Sequence, residues 1–137
     1  MMFETQADLD RERKAIEAFC KIFNGSYQKL GSLDIDFKIF DSEGKLLGYV
    51  EVKGRHRNIA NAYPLPIAAK KLVKLMEKRH NPVVIWACDD GILYAKMQEL
   101  VGDIRWGGMK PRVGAANDME LMAYYDKQKA IKYLKYY

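Results

Sequence analysis

Two cysteines, two histidines and four prolines are all that this 137-residue sequence holds of those types, and each shortage excludes something. Cys20 and Cys88 stand far apart, each inside an apolar pattern. They read as buried free thiols in a reducing cytoplasm, not as a disulfide framework. With the histidines and cysteines scattered singly, no zinc-ligand spacing exists. No apolar run approaches the roughly 18 residues of a membrane span, so no membrane partner is expected. Met1 to Gln6 lack a basic stretch followed by an apolar one, so no export signal is expected either. No organic small-molecule cofactor is expected.

What is present is ordinary for a soluble globular chain: 49% apolar and 30% charged residues. The length suits one domain spanning 1–137, with a basic C-terminal loop and tail over 103–137. Net charge is +5, unevenly placed. From Lys53 to Arg79 there are eight Lys or Arg against one acid, Glu77, or +7 in 27 residues. Such asymmetry suits an anionic polymer bound at one face.

Periodicity predicts a helix over 6–23, with Thr5 as its cap and Asp8 closing a capping box. Leu9, Ile16, Phe19 and Phe23 follow the apolar stripe of that helix, whereas Glu12 breaks it. Two strand patterns follow, Leu33–Phe40 and Leu46–Lys53, joined by the polar connector Asp41-Ser42-Glu43-Gly44-Lys45, a hairpin signal. Residues 55–63 read as a loop, and 64 to about 79 as a helix with Ile67, Ala68, Leu72, Leu75 and Met76 on its apolar side. Val83–Cys88 reads as a strand buried on both faces, turned by Asp89-Asp90-Gly91 into a partner over 92–97. A basic glycine loop from Arg105 to Arg112, a short strand near 120–125 and a basic helix from about Lys127 complete the expectation. The class is α/β with a mixed sheet flanked by helices.

The hairpin carries the chemistry. Residues counted equally outward from its turn lie opposite one another, which sets Asp36 beside Glu51. Lys53, two residues on, shares the face of Glu51. Two neighbouring carboxylates repel unless a cation lies between them. Mg2+ accepts that arrangement with one or two carboxylates plus waters and a phosphate oxygen, and Mn2+ is expected to substitute. Such an ion polarises a phosphodiester and activates water, while Lys53 steadies charge on the phosphate oxygens. Asp34 competes with Asp36 for the role, but sits diagonally further from Glu51.

Asp36, fourteen residues, then Glu51-Val52-Lys53 resembles the PD-(D/E)XK signature of restriction enzymes, Holliday-junction resolvases and many phage nucleases. The resemblance spans roughly residues 8–97 and departs from the pattern where Ile35 stands in place of proline. It implies a restriction-endonuclease-like fold with core order helix-strand-strand-strand-helix-strand. It also implies metal ligation by Asp36, Glu51 and the Val52 carbonyl, with Asp36, Glu51 and Lys53 catalytic. A glutamate from the first helix reaches the metal in some members, and Glu12 resembles it, with Glu17 a weaker alternative. The Tyr63-Pro64 helix start, the Asp90-Gly91 hairpin and Trp106-Gly107-Gly108 look like small phage-type members, placing the chain in a bacterial or phage-infected cytoplasm.

The expected activity is Mg2+-dependent DNA cleavage, structure-selective or weakly sequence-specific, by a possible homodimer. Arg55, Arg57, Lys70, Lys71, Arg105, Lys110 and Arg112 are the candidates to hold DNA through its phosphates. Trp106 could stack on an exposed base. His56 is a candidate substrate contact or an exposed loop residue. The alternatives are a non-catalytic DNA-binding protein on the same fold, and an interaction domain whose basic helix is merely solvated.

Overall fold

The computed structural model describes residues 5–31, 36–77, 81–107 and 120–137. Helix α1 runs Gln6–Lys21 and starts as the sequence predicts: the Thr5 hydroxyl accepts from the Asp8 amide and the Asp8 carboxylate accepts from the Thr5 amide. Ala15, Ile16, Phe19 and Cys20 are buried along its inner stripe, with Glu12 at the same stripe's far end. A short strand, β1 (Ser26–Lys29), follows and leads to the hairpin of β2 (Phe37–Phe40) and β3 (Leu46–Gly54). Gly44 takes a positive φ of 84° in the connector, a conformation glycine adopts without strain.

The chain continues through a 3-10 turn (Ile59–Asn61) into β4 (Leu65–Ala68), α2 (Ala69–Glu77), β5 (Val83–Ala87) and β6 (Gly91–Lys96). A second 3-10 turn (Met97–Glu99), β7 (Asp103–Gly107), β8 (Glu120–Tyr125) and β9 (Lys132–Lys135) complete it. The main sheet has six strands in the order β1-β2-β3-β5-β6-β9, and a second has three in the order β4-β8-β7. The β3–β5 pair is parallel and the other neighbours are antiparallel. α1 seals one face of the main sheet against Phe37, Ile39, Val50 and Ile85. On the other face Leu65, Ile67, Leu72, Leu75, Ala123 and Tyr125 pack against Val84 and Trp86. Every residue of β5 is buried, as its continuous apolar run requires.

Four expectations are corrected. The helix predicted from residue 64 begins at Ala69, because Pro64 and Pro66 favour extended backbone and Leu65 and Ile67 alternate inward as strand β4. Met76 of that helix is 58% exposed, not buried. The basic loop expected at Arg105 is strand β7 through Gly107; the remainder of that loop, with Lys110 and Arg112, lies outside the described residues. The closing helix expected from Lys127 is instead β9, whose backbone completes the edge of β6 and whose aromatic and alternating residues suit a strand. Gly91 allows that pairing, since a side chain there would collide with the Leu134 carbonyl.

Candidate active site

The predicted convergence of Asp36 and Glu51 is present. Phe37 pairs with Val50, so the register continued by one residue sets Asp36 opposite Glu51. The Asp36 Oδ2 accepts a hydrogen bond from the Val52 amide at 2.7 Å, and its own carbonyl accepts from the Leu30 amide. Asp36 is thereby fixed between β1 and β3. Asp34 lies outside the described residues.

Glu51 is 3% exposed. Its Oε1 lies 3.6 Å from the Lys71 ammonium, while its Oε2 is buried with no hydrogen-bond partner among the described residues. An orphaned carboxylate oxygen in an apolar setting is costly, by roughly 1–3 kcal/mol or more for a charged group. Burial, and then the Glu51 carboxylate beside it, push the Asp36 carboxyl up to about 7; the Val52 amide and Lys29 oppose this. A buried carboxylate and a half-buried one therefore face one another, and the repulsion between them raises the Asp36 carboxyl.

Lys53 shares the face of Glu51, is exposed, and has no ion-pair partner among the described residues. Its head is available to a ligand. Lys71 reaches the site, as its place before Leu72 on α2 allowed, whereas Lys70 pairs with Glu120 at 3.6 Å. Glu12 is buried and ion-paired with Lys29 at 2.9 Å, and Lys29 also acts on Asp36. Glu17 instead accepts from the Tyr27 hydroxyl. Among the described residues no group of three or more His, Cys, Asp or Glu is placed to hold a metal.

Lys29 is the site residue that sequence reasoning missed. Its strand has little apolar signal, and only the need of a buried Glu12 for a cation pointed to it.

The outer basic residues divide. Arg55 donates to the carbonyls of Ala62 and Pro64 and so braces its own loop. Arg57 and His56 are exposed. Arg105 lies over the Tyr124 ring at 4.3 Å, on the opposite face of β7 from Trp106. Among the described residues no helix is long and apolar enough to cross a membrane.

A mixed sheet sealed by α1 on one side, with two acids meeting where a hairpin joins the parallel β3–β5 pair, is a restriction-endonuclease-like fold. Residues 1–131 match the family described as "Phage putative PDDEXK endonuclease", and the chain belongs to that family. It is therefore a member of the PD-(D/E)XK nuclease class, whose members generally use divalent metals. No curated protein and no solved structure gives a significant match.

Proposed function

We propose that the chain is a Mg2+-dependent DNA endonuclease, structure-selective or weakly sequence-specific, with Asp36, Glu51 and Lys53 as its catalytic residues. The observation that carries this reading is the unpartnered, buried Glu51 Oε2 beside an Asp36 whose carboxyl is raised to about 7. A hard divalent ion fits that donor set, since Mg2+ takes one or two carboxylates and fills its shell with water and phosphate oxygens. Asp36, Glu51 and the Val52 carbonyl would hold it, and Glu12, which shares Lys29 with Asp36, is the outer acid of the site. Such an ion supplies charge stabilisation and water activation at a phosphodiester.

The chain's own side chains do the rest. Asp36 is oriented by the Val52 amide. Lys53 meets the scissile phosphate and stabilises charge developing on its oxygens. Lys71, already at Glu51, offers a second cation to the same phosphate. Arg57, Lys70 and Arg105 are exposed and available to backbone phosphates, and Lys110 and Arg112, outside the described residues, are proposed for the same role. A homodimer would place two such sites on opposite strands.

The test is cleavage of supercoiled plasmid, linear duplex, single strand, flap and four-way junction with Mg2+ or Mn2+, for wild type and Lys53→Ala. Metal-dependent cleavage lost in the variant supports the reading. DNA binding without cleavage by either protein sinks it in favour of a binding module.

A further inference from the structure

The second sheet carries a wider apolar face than the main sheet covers. Leu65, Ile67, Ala123 and Tyr125 point one way across the β4–β8 ladder and are buried against Val84 and Trp86. Ile104 and Trp106 of β7 face the same side, through the pairs Ile104–Ala123 and Trp106–Leu121. Yet Ile104, Trp106 and Leu121 are 65%, 66% and 46% exposed. A cluster of large apolar side chains left in water marks a contact surface.

Place and charge say what covers it. Glu51 and Lys53 stand in register with Val84 and Trp86, so the catalytic face of the main sheet is the one the second sheet lies against. Helix α2 joins the two regions: Lys71 reaches Glu51, and Lys70 reaches Glu120, the neighbour of Leu121. Lys70, Lys71 and Lys74 line an open groove of about 560 Å3 along that helix. An exposed indole on the second sheet, together with the lysines of a groove along α2 that Glu77 also lines, matches a ligand with apolar flat faces and regular negative charge. Unpaired nucleotides have both, because every base offers a π-face to stack and every phosphate a charge. A second copy of this chain, itself +5, would bring like charge against those lysines.

We propose that Trp106 is a stacking platform for an unpaired base, and that with the α2 lysines it directs substrates of single-stranded character to the nuclease site. This rests on the nuclease reading above. Gly107 supports the placement: a side chain there would collide with the Tyr124 hydroxyl, so Tyr124 packs on the back of β7 directly behind the platform. Ile104 and Leu121 flank the indole and exclude water from the stacked base.

The experiment measures binding without metal, in the Lys53→Ala chain, so that no cleavage intervenes. Labelled oligothymidine and a duplex of equal length are titrated by anisotropy against the parent, Trp106→Ala and Trp106→Phe. The expected result is about ten-fold weaker single-strand binding in Trp106→Ala, a change under about two-fold for duplex, and recovery in Trp106→Phe. Trp86 is fully buried, so quenching of tryptophan emission by oligothymidine in the unsubstituted chain reports on Trp106 directly. That readout decides the matter even if Trp106→Ala folds poorly. Equal loss for both DNA forms, no loss, or absent quenching overturns the proposal. So does a dimer that Trp106→Ala splits in sedimentation with strand binding unchanged, since the face would then belong to self-association. Failure of the cleavage panel is scored with metal and failure of stacking without it, so the two readings fall separately.

Discussion

Glu12 and Glu51 are both buried carboxylates, one on α1 and one on β3, and the chain treats them differently. Glu12 is 8% exposed and meets the Lys29 ammonium at 2.9 Å. Glu51 is 3% exposed, lies 3.6 Å from the Lys71 ammonium and keeps one oxygen without a partner among the described residues. A buried charge demands compensation, and removal from water costs several kcal/mol when none is supplied. The Glu12 region supplies its own. The Glu51 region, with Asp36 pressed against it, leaves part of the compensation to a ligand. On the proposed reading, that contrast separates an acid compensated within the fold from an acid left for chemistry.

The largest expected effect tests whether the Glu51 region is catalytic at all. Lys53 is exposed and has no ion-pair partner among the described residues, so Lys53→Ala breaks no ion pair there. Cleavage should fall by at least about 100-fold, as when a single charge-stabilising donor is lost, while the melting temperature stays within about 1 °C. Single-turnover cleavage and thermal melts check both halves. A comparable fall in melting temperature would turn Lys53 into a structural residue.

The contrast sharpens when the two acids are neutralised in turn. Glu51→Gln removes a charge that has no full partner and relieves the repulsion on Asp36, so the metal-free protein should melt a few degrees higher. It should also lose divalent-ion binding by titration calorimetry. Glu12→Gln breaks a 2.9 Å ion pair whose carboxylate side is buried, and should lower stability by about 1 kcal/mol, a few degrees in melting temperature. If both substitutions stabilise, or both destabilise, the distinction between the two regions collapses.

The acid pair was legible in the sequence because a hairpin converts spacing into adjacency. The polar connector with Gly44 located the turn and the alternation of Phe37, Ile39 and Val50 the inward face; a strict count from that connector sets Asp36 opposite Val50, and the register shift between Ile39 and Phe40 carries it opposite Glu51. Glu12 was legible as an anomaly in an apolar stripe, though its partner was not. Lys29 sits on a four-residue strand at the sheet edge, where exposed polar residues carry no periodic signal. The second sheet was half visible. Residues 120–125 read as a strand from their own pattern, whereas β4 and β7 exist because β8 offers them a backbone to pair with, a non-local cause. β9 was lost the same way: its lysines suited an amphipathic helix, and the open edge of β6 decided otherwise.

Acidity gives a third handle on the comparison. The Asp36 carboxyl is raised from 3.8 to about 7 in the folded chain, chiefly by burial and then by Glu51. The folded state therefore binds a proton that the unfolded state releases, so this contribution to stability is complete below pH 4 and is lost as pH rises through about 7. Denaturant titrations of the metal-free chain should show stability falling over that window, by at most about 4 kcal/mol. Saturating Mg2+ should flatten the slope, because the ion replaces the proton. Asp36→Asn should abolish it with or without metal. A slope unchanged in Asp36→Asn would assign the titration elsewhere.

The smallest effect concerns Lys71, the loose cation of the Glu51 region. At 3.6 Å and 42% exposure its ammonium is close enough to matter electrostatically and too solvated to neutralise Glu51. On the proposed reading it competes with a divalent ion for the same carboxylate. Lys71→Met keeps the aliphatic stem that lies along α2 and removes only the charge. Divalent-ion affinity in the absence of DNA should then rise by about two- to five-fold, a modest surface-type coupling. Cleavage should fall by a similar or larger factor, because the phosphate loses one of its two cations. Those opposite signs are what a shared carboxylate predicts. Should metal affinity fall instead, Lys71 would be orienting Glu51, and the region would hold its acid as firmly as the Glu12 region does.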